Sequence, residues 1–320
     1  MRAIRVHHTG GPEVLTLEDL PSPEPRPGEA VVRLDAIGVN FIDVNHRSGA
    51  YEMPLPFTPG VEGAGVVTAV AGEDGVRAGD RVGFARVMGA YAEEVAVPVD
   101  RLVPLPPTIG PELAAAVLLQ GMTAHSLLDA AGPLREGDWC VVHAGAGGVG
   151  LLLTQMASRR GLRVIGTAST PEKAELARKA GAEVAVVYTQ RDFVAVAGET
   201  TDGRGVRAVF DAVGKDTFDE SIECLGPRGY MVLYGQASGP PLPFDPRRLG
   251  NGSLFLTRAA LADYTATRED LLEGANAVLG AVERGALDVH VHERYPLADA
   301  ARAHRELQSR KTKGKLLLIP

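Results

Sequence analysis

Cysteine is nearly absent from this chain of 320 residues: Cys140 and Cys224 are the whole set. Two thiols exclude a disulfide framework and a multi-cysteine structural zinc lobe. They form no Cys-x-x-Cys pair, and their apolar surroundings predict buried, unreactive side chains. Positive charge is also short, with a formal net charge of −7. That balance argues against nucleic acid or an anionic membrane as the main partner. No apolar run is long enough to read as a spanning helix. No apolar leader is expected either, since Met1 to Val6 opens directly into a strand-like pattern. A cytoplasmic location is the expectation. What remains, 45% hydrophobic and 23% charged residues, describes an ordinary globular protein long enough for two domains.

The first part of the chain reads as β-structure with irregular connections. Ala30–Ile37, Gly65–Val70, Asp80–Phe84 and Ala92–Val97 have strand character and are separated by glycine and proline turns. Short strands at irregular spacing predict a small, partly open barrel. Near residue 111 the character changes. Pro111–Leu119 and Thr123–Ala131 are read as two helical stretches, with Pro111 in a first-turn position. From there strands and helices alternate, as in a parallel sheet with crossover helices. The strand candidates are Val141–Val142, Arg163–Thr167, Glu183–Val187, Arg207–Phe210, Gly229–Tyr234 and Ser253–Thr257. Six is the number that a doubly wound dinucleotide-binding sheet needs. After about residue 262 the pattern returns to helix and strand, and the apolar tail Leu316–Ile319 is expected to pack back on the first domain. The fold class is therefore α/β, with domains at 1–121 plus 263–320 and at 122–262.

Gly145, Gly147 and Gly150 satisfy Gly-x-Gly-x-x-Gly between an apolar strand and an apolar helix. The first glycine permits the tight turn, the second admits a pyrophosphate, and the third lets helix and strand pack closely. An NAD site usually closes its second strand with an acid that accepts the ribose hydroxyls. Here the strand runs into Ala168, Ser169 and Thr170, with Lys173 shortly after and Tyr188 closing the third strand. A hydroxyl and a cation suit the 2′-phosphate of NADPH, which an acid would repel.

Several segments together resemble the zeta-crystallin-like quinone oxidoreductases, zinc-independent members of the medium-chain dehydrogenase/reductase superfamily. They are Gly10–Leu15, Gly38–Asp43, Arg47–Tyr51, Pro59–Gly65, Ala78–Val82, Gln120–Ala124, Ala144–Gly150, Asp211–Gly214 and Leu316–Pro320. The resemblance spans essentially the whole chain. It implies a GroES-like catalytic domain built from both chain ends, with a Rossmann NADPH-binding domain inserted and the active site in the cleft between them. It also implies a homodimer paired through the Rossmann edge strands around Ser253–Thr257. The activity implied is NADPH-dependent reduction of a quinone by hydride transfer. The alternative is reduction of conjugated enals, enones or enoyl thioesters, and a third reading is an NADPH-binding protein without catalysis.

Carried over onto this sequence, the resemblance places Ser169, Lys173, Tyr188 and Arg310 around the 2′-phosphate. Gly147, Gly148 and Val149 would hold the pyrophosphate, within the loop that Gly145 and Gly150 complete. Tyr234, Gly235, Thr257 and Arg258 would face the nicotinamide half, with Thr123 fixing the cofactor and Gly214 also among the cofactor-binding residues. Zinc-dependent relatives place Cys, His-Glu and Cys ligands along the cleft. Here Asn40 and Val61-Glu62 stand at the first positions and no cysteine lies near Gln120. No metal is therefore expected, and Glu62 is read as structural. Asn40, Asp43 and Tyr51 are the candidates for lining the cleft, Tyr51 as hydrogen-bond donor to the acceptor oxygen. Each has a plainer alternative: a turn cap, a helix N-cap and a loop aromatic. His7, His8, His143 and His304 show no ligand spacing, and the basic run Arg310–Lys315 reads as surface or phosphate-facing. Val44-Asn45-His46 and Gln120 depart from the family pattern, which bears on substrate preference.

Overall fold

The computed structural model describes residues 1–72 and 75–320. The chain divides into two compact units, Met1–Met122 with Thr265–Pro320, and Thr123–Tyr264.

In the first unit β1 (Arg2–Arg5) and β2 (Thr16–Asp19) form an antiparallel pair. The main sheet is organised on β3 (Glu29–Val39), which is followed by α1 (Phe41–Ser48), β4 (Glu62–Val70), β5 (Arg81–Ala85), β6 (Glu94–Pro98) and β7 (Val103–Pro104). One edge of β3 pairs antiparallel with β4 along most of its length. Its other edge is shared. Glu29–Arg33 pair with β6, and Ile37–Val39 pair with a strand from the far end of the chain. Ile4, Val32, Leu34, Ile37 and Phe84 pack into one core with Tyr295, Leu316 and Leu318. The apolar tail thus does return to the amino-terminal strands.

The chain then enters α2 (Pro111–Ala130). This is one helix, not the two that the sequence suggests. Gly121 reads as an interruption because glycine disfavours a helix interior. It is there for close packing instead, since a Cβ would lie 2.5 Å from Cγ1 of Val278. Joined in this way, the segment is also long and apolar enough to cross a membrane by length and composition, which the sequence reading did not anticipate. Two thirds of its apolar window is buried within the protein, as in a core helix.

The second unit alternates strand and helix: β8 (Trp139–Val142), α3 (Gly148–Arg159), β9 (Arg163–Ala168), α4 (Pro171–Lys179), β10 (Val184–Val187), α5 (Phe193–Thr200), β11 (Val206–Asp211), α6 (Phe218–Glu223), β12 (Leu225–Leu233), β13 (Phe255–Arg258) and α7 (Leu261–Tyr264). The sheet order is β10-β9-β8-β11-β12-β13, with every pairing parallel. This is the doubly wound arrangement, whose direction of winding reverses between β8 and β11. Thr170 caps α4, its hydroxyl accepting from the backbone N–H of Lys173, and Gly181 follows the helix with φ 109°. The short helices α5 and α6 carry too few turns to stand out as a periodic pattern. The chain returns to the first unit through α8 (Arg268–Glu283), β14 (Val291–Pro296), α9 (Ala300–Gln308) and β15 (Lys315–Ile319). β15 lies between β14, to which it is parallel, and β3, to which it is antiparallel.

Candidate active site

In the second unit the carboxyl ends of the parallel strands gather most of the residues expected to hold a dinucleotide. The glycine loop follows β8, Ser169 follows β9, Tyr188 follows β10, Gly214 follows β11, Tyr234 and Gly235 follow β12, and Thr257 and Arg258 end β13. Such a row beside the reversal point is where open α/β sheets bind their ligands. Thr123 lies on α2 at the start of this unit, and Arg310 lies in the other unit, on the turn between α9 and β15.

The glycine loop is built around Ala144, which is held at φ 52°. Its carbonyl accepts the backbone N–H of Gly147 at 2.8 Å. The same oxygen fills the space beside Gly150, where a Cβ would approach to 2.2 Å. Gly145 donates its N–H to the carbonyl of Thr167 at 2.9 Å, tying the loop to β9. Gly147 is the N-cap of α3 and, having no side chain, supplies no cap hydrogen bond to the first turn. The first N–H groups of that helix, from Gly148 and Val149 onward, are thus aimed at the space above the loop, a position suited to a pyrophosphate. Gly235 is similarly confined, because a Cβ there would lie 2.4 Å from the carbonyl of Ala212. Burial pushes the Tyr234 phenol well up, so it stays protonated. β9 ends without an acid, as expected from the sequence, and Lys173 sits in the first turn of α4.

In the first unit a buried polar cluster surrounds the end of β3. Nζ of Lys315 lies 2.5 Å from Oε2 of Glu62 and 2.7 Å from Oδ1 of Asn40. Asn40 donates its amide hydrogens to Glu62 Oε2 at 2.9 Å and to the carbonyl of Gly38 at 3.2 Å. Glu62 Oε1 accepts the N–H of Leu119 at 2.7 Å. Lys315 and Glu62 are 1% and 0% exposed, so this ammonium and carboxylate neutralise one another out of water. The basic run 310–315 is therefore not wholly superficial. Its last lysine is buried because it opens the strand inserted between β14 and β3. A cation thus already stands among the oxygens of Asn40 and Glu62, and this set does not fit a catalytic zinc, which needs thiolate, imidazole or carboxylate ligands and no ammonium. Among the described residues, His292, Glu293 and Glu306 also come close enough together to share an ion. Both carboxylates there are already bonded by Arg302 and by the Tyr295 hydroxyl.

Asp43 is fully buried on α1. Its Oδ2 accepts the backbone N–H of Asn40 at 2.8 Å, as the third residue of a capping box, and the Tyr91 hydroxyl at 3.1 Å. Tyr91 packs against Gly60, where a Cβ would collide with its ring. The same hydroxyl lies 2.9 Å from Nε2 of His304. Burial raises the Asp43 carboxyl to about 7 and lowers the His304 imidazole to about 3. Tyr51 is half-buried, with its ring edge-on to His46 at 5.9 Å. Of the three residues expected to line a cleft, Asn40 and Asp43 are thus committed to buried partners. Glu62 and Lys315 are the members of this cluster whose pairing sequence reasoning missed. The one available signal was a lysine placed directly before an apolar strand.

Residues 26–107 match the alcohol dehydrogenase GroES-like domain family, and residues 148–286 match the zinc-binding dehydrogenase family. The chain is 45% identical over 315 residues to the quinone oxidoreductase of Pseudomonas aeruginosa, covering 97% of each. It is 40% identical over 329 residues to the 2-haloacrylate reductase of a Burkholderia species, covering 98% of each. The crystal structure of Escherichia coli quinone oxidoreductase complexed with NADPH superposes with a TM-score of 0.97 at 41% identity, over 100% of both chains. The chain belongs to the medium-chain dehydrogenases/reductases and, within them, to the zeta-crystallin-like quinone oxidoreductase family.

Proposed function

We propose that this protein is an NADPH-dependent oxidoreductase that reduces quinones without a metal ion. The observation that carries this reading is the cradle at the end of β8. A strained Ala144 and an obligatory Gly150 shape a dinucleotide loop at the reversal point of the sheet, beside a β9 that is followed by Ser169 and, in the first turn of α4, by Lys173, where an NAD site would carry an acid. The likeness to an NADPH-complexed quinone oxidoreductase supports it. When bound, the nicotinamide supplies the hydride; NADPH, a quinone and one proton become NADP⁺ and the hydroquinone. The chain's part is to bind, orient and exclude water.

We assign Ser169, Lys173, Tyr188 and Arg310 to the 2′-phosphate, the loop from Gly145 to Gly150 to the pyrophosphate, and Gly214, Tyr234, Gly235, Thr257, Arg258 and Thr123 to the nicotinamide half. Among the catalytic candidates, Tyr51 takes the role of donor to the acceptor oxygen. Asn40 and Asp43 act by holding the end of β3 and the start of α1, since Asn40 has no amide hydrogen to spare and Asp43 is closed off from solvent. We also propose a homodimer joined along β13, the edge of the six-stranded sheet, where Phe255 and Leu256 are exposed. Two buried free thiols suit a reducing compartment, and we place the protein in the cytoplasm.

The test is oxidation of NADPH or NADH by purified protein with a panel of quinones, enals and 2-haloacrylate, with and without chelator. Turnover of quinones with NADPH, indifferent to chelator, is the expected result. The 40% identity to a 2-haloacrylate reductase favours a second reading, reduction of a conjugated carbon–carbon double bond. Turnover of the enals or haloacrylate alone would establish that reading. NADPH binding with no turnover of any acceptor would leave only a binding protein.

A further inference from the structure

A second buried polar network lies inside the nucleotide unit, and neither the cofactor cradle nor the reaction as described uses it. His143 immediately follows β8 and is 1% exposed. Its Nδ1 lies 2.9 Å from the Thr167 hydroxyl on β9, and its Nε2 lies 2.9 Å from the Ser221 hydroxyl on α6. The Ser221 hydroxyl is 3.3 Å from Oδ2 of Asp211, the last residue of β11, and Thr217 donates to the same oxygen at 2.8 Å. Oδ1 of Asp211 accepts the N–H groups of Val213 and Gly214, at 2.7 and 3.0 Å. Its backbone carbonyl accepts those of Tyr234 and Gly235, beyond β12.

The directions of these bonds are fixed by the chain's end. Both oxygens of Asp211 already accept, from Val213, Gly214 and Thr217, and the Ser221 hydroxyl donates to Oδ2, so that hydroxyl receives from His143 Nε2–H. His143 is then the Nε2–H tautomer, and its Nδ1 receives the Thr167 hydroxyl. Burial keeps the imidazole neutral, as this tautomer requires. Every polar atom of the ring is used once, and the network joins the ends of β9, β8, β11 and β12.

The residue that His143 adjoins is Ala144, whose left-handed φ of 52° shapes the glycine loop. A strained backbone of this kind persists only where its surroundings over-determine it. The carbonyl of Ala144 is bonded by Gly147, and the strand-side flank of the turn is held by two main-chain bonds, from His143 to Phe210 and from Gly145 to Thr167, together with the His143 ring. We propose that His143 is a positioning residue for the dinucleotide: through Ser221 and Asp211 it locks the pyrophosphate loop to the turns at Gly214 and Gly235, so that both halves of the cofactor meet a preset cradle. This rests on the reading of the unit as the NADPH site.

The test is a set of variants measured by NADPH fluorescence titration, steady-state kinetics in both substrates and thermal melting. His143→Gln keeps an N–H near the Nε2 position and so the tie to Ser221 and Asp211. His143→Asn reaches only toward Thr167. Ser221→Ala cuts the chain by removing one oxygen, and it can be read even where a histidine substitution impairs folding. Losing the tie removes about one to two buried hydrogen bonds, so His143→Asn and Ser221→Ala are expected to raise the Kd and KM for NADPH about tenfold. The quinone KM is expected to hold, and His143→Gln to stay near the wild type. If Ser221→Ala and His143→Asn bind NADPH as the wild type does and only their melting temperatures fall, the network is ordinary core polarity and the proposal fails. If the wild type itself does not bind NADPH in the same titration, it is the cofactor reading that fails.

Discussion

Nζ of Lys315 and Oε2 of Glu62 stand 2.5 Å apart, 253 residues distant in sequence and both closed off from solvent. The pair sets a side-chain ammonium among the oxygens of Asn40 and Glu62, at positions where zinc-dependent relatives carry metal ligands. Removing one partner leaves a buried charge alone, and that is the costly case. Lys315→Met is expected to lower the free energy of unfolding by roughly 3–5 kcal/mol. Adding Glu62→Gln should return much of the loss. Urea unfolding of the single and double variants checks this, and a single variant as stable as the wild type would contradict it.

Asp43 gives the stability a pH dependence of definite sign. Burial raises its carboxyl from 3.8 to about 7. Below about pH 4 it is protonated whether the chain is folded or not. Between there and about 7 the unfolded chain ionises first, so stability falls as the pH rises through that window and levels off above it. Asp43→Asn keeps an acceptor for the Asn40 N–H and the Tyr91 hydroxyl but cannot ionise. At pH 8 it should exceed the wild type by up to about 4 kcal/mol, with no advantage near pH 4. Parallel unfolding curves at both pH values would show that Asp43 carries no such linkage.

Lys173 in the first turn of α4 should set the coenzyme preference. A charge-assisted bond to a phosphate contributes about 1.5–3 kcal/mol, so Lys173→Glu is expected to raise the KM for NADPH about 10- to 100-fold and leave that for NADH within a few fold. An unchanged NADPH/NADH ratio would take Lys173 out of the 2′-phosphate site.

Gly150→Ala should weaken NADPH binding at least about tenfold, because its methyl group would meet the Ala144 carbonyl at 2.2 Å and force the loop open. Gly198→Ala is the control. That residue lies in α5 with nothing within 4 Å of the added atom, and the change should stabilise the protein by about 0.4–1 kcal/mol without touching Kd.

The edge strand offers a separate test of assembly. Phe255 stacks on Tyr230 at 4.6 Å between ring centroids while remaining 46% exposed. Phe255→Glu would place a charge on an apolar edge and is expected to shift the protein from dimer to monomer in light scattering. A wild type that is monomeric at all concentrations would refute pairing through β13.

The nucleotide unit was legible because its signals are local. A glycine spacing, an acid-free strand end and the Thr170 cap each sit within a few residues, and the structure assembles them in the expected order. The buried cluster of the first unit was not, because Lys315 and Glu62 acquire their meaning only when β15 inserts beside β3. In sequence Lys315 is the last of a basic run, and its burial follows from which strands flank it. Asn40 and Asp43 read as cleft residues on resemblance, while their side-chain hydrogen bonds run to Glu62, Lys315 and Gly38 in the one case and to the Asn40 N–H and Tyr91 in the other, and Glu62, Lys315 and Tyr91 are distant in sequence. Gly121 misled in the opposite direction: a helix breaker by propensity, it is required by the approach of Val278.

The placement of β15 has a consequence for how the protein is made. Ile37–Val39 of β3 have no partner on one edge until Leu316–Leu318 arrive. During synthesis the nucleotide unit, whose residues are contiguous, can close while the amino-terminal unit still waits with an open strand edge and a Glu62 that lacks its ammonium. Emergence of β15 from the ribosome therefore completes the sheet of the first unit, and deleting that strand would leave an unpaired apolar edge prone to aggregation.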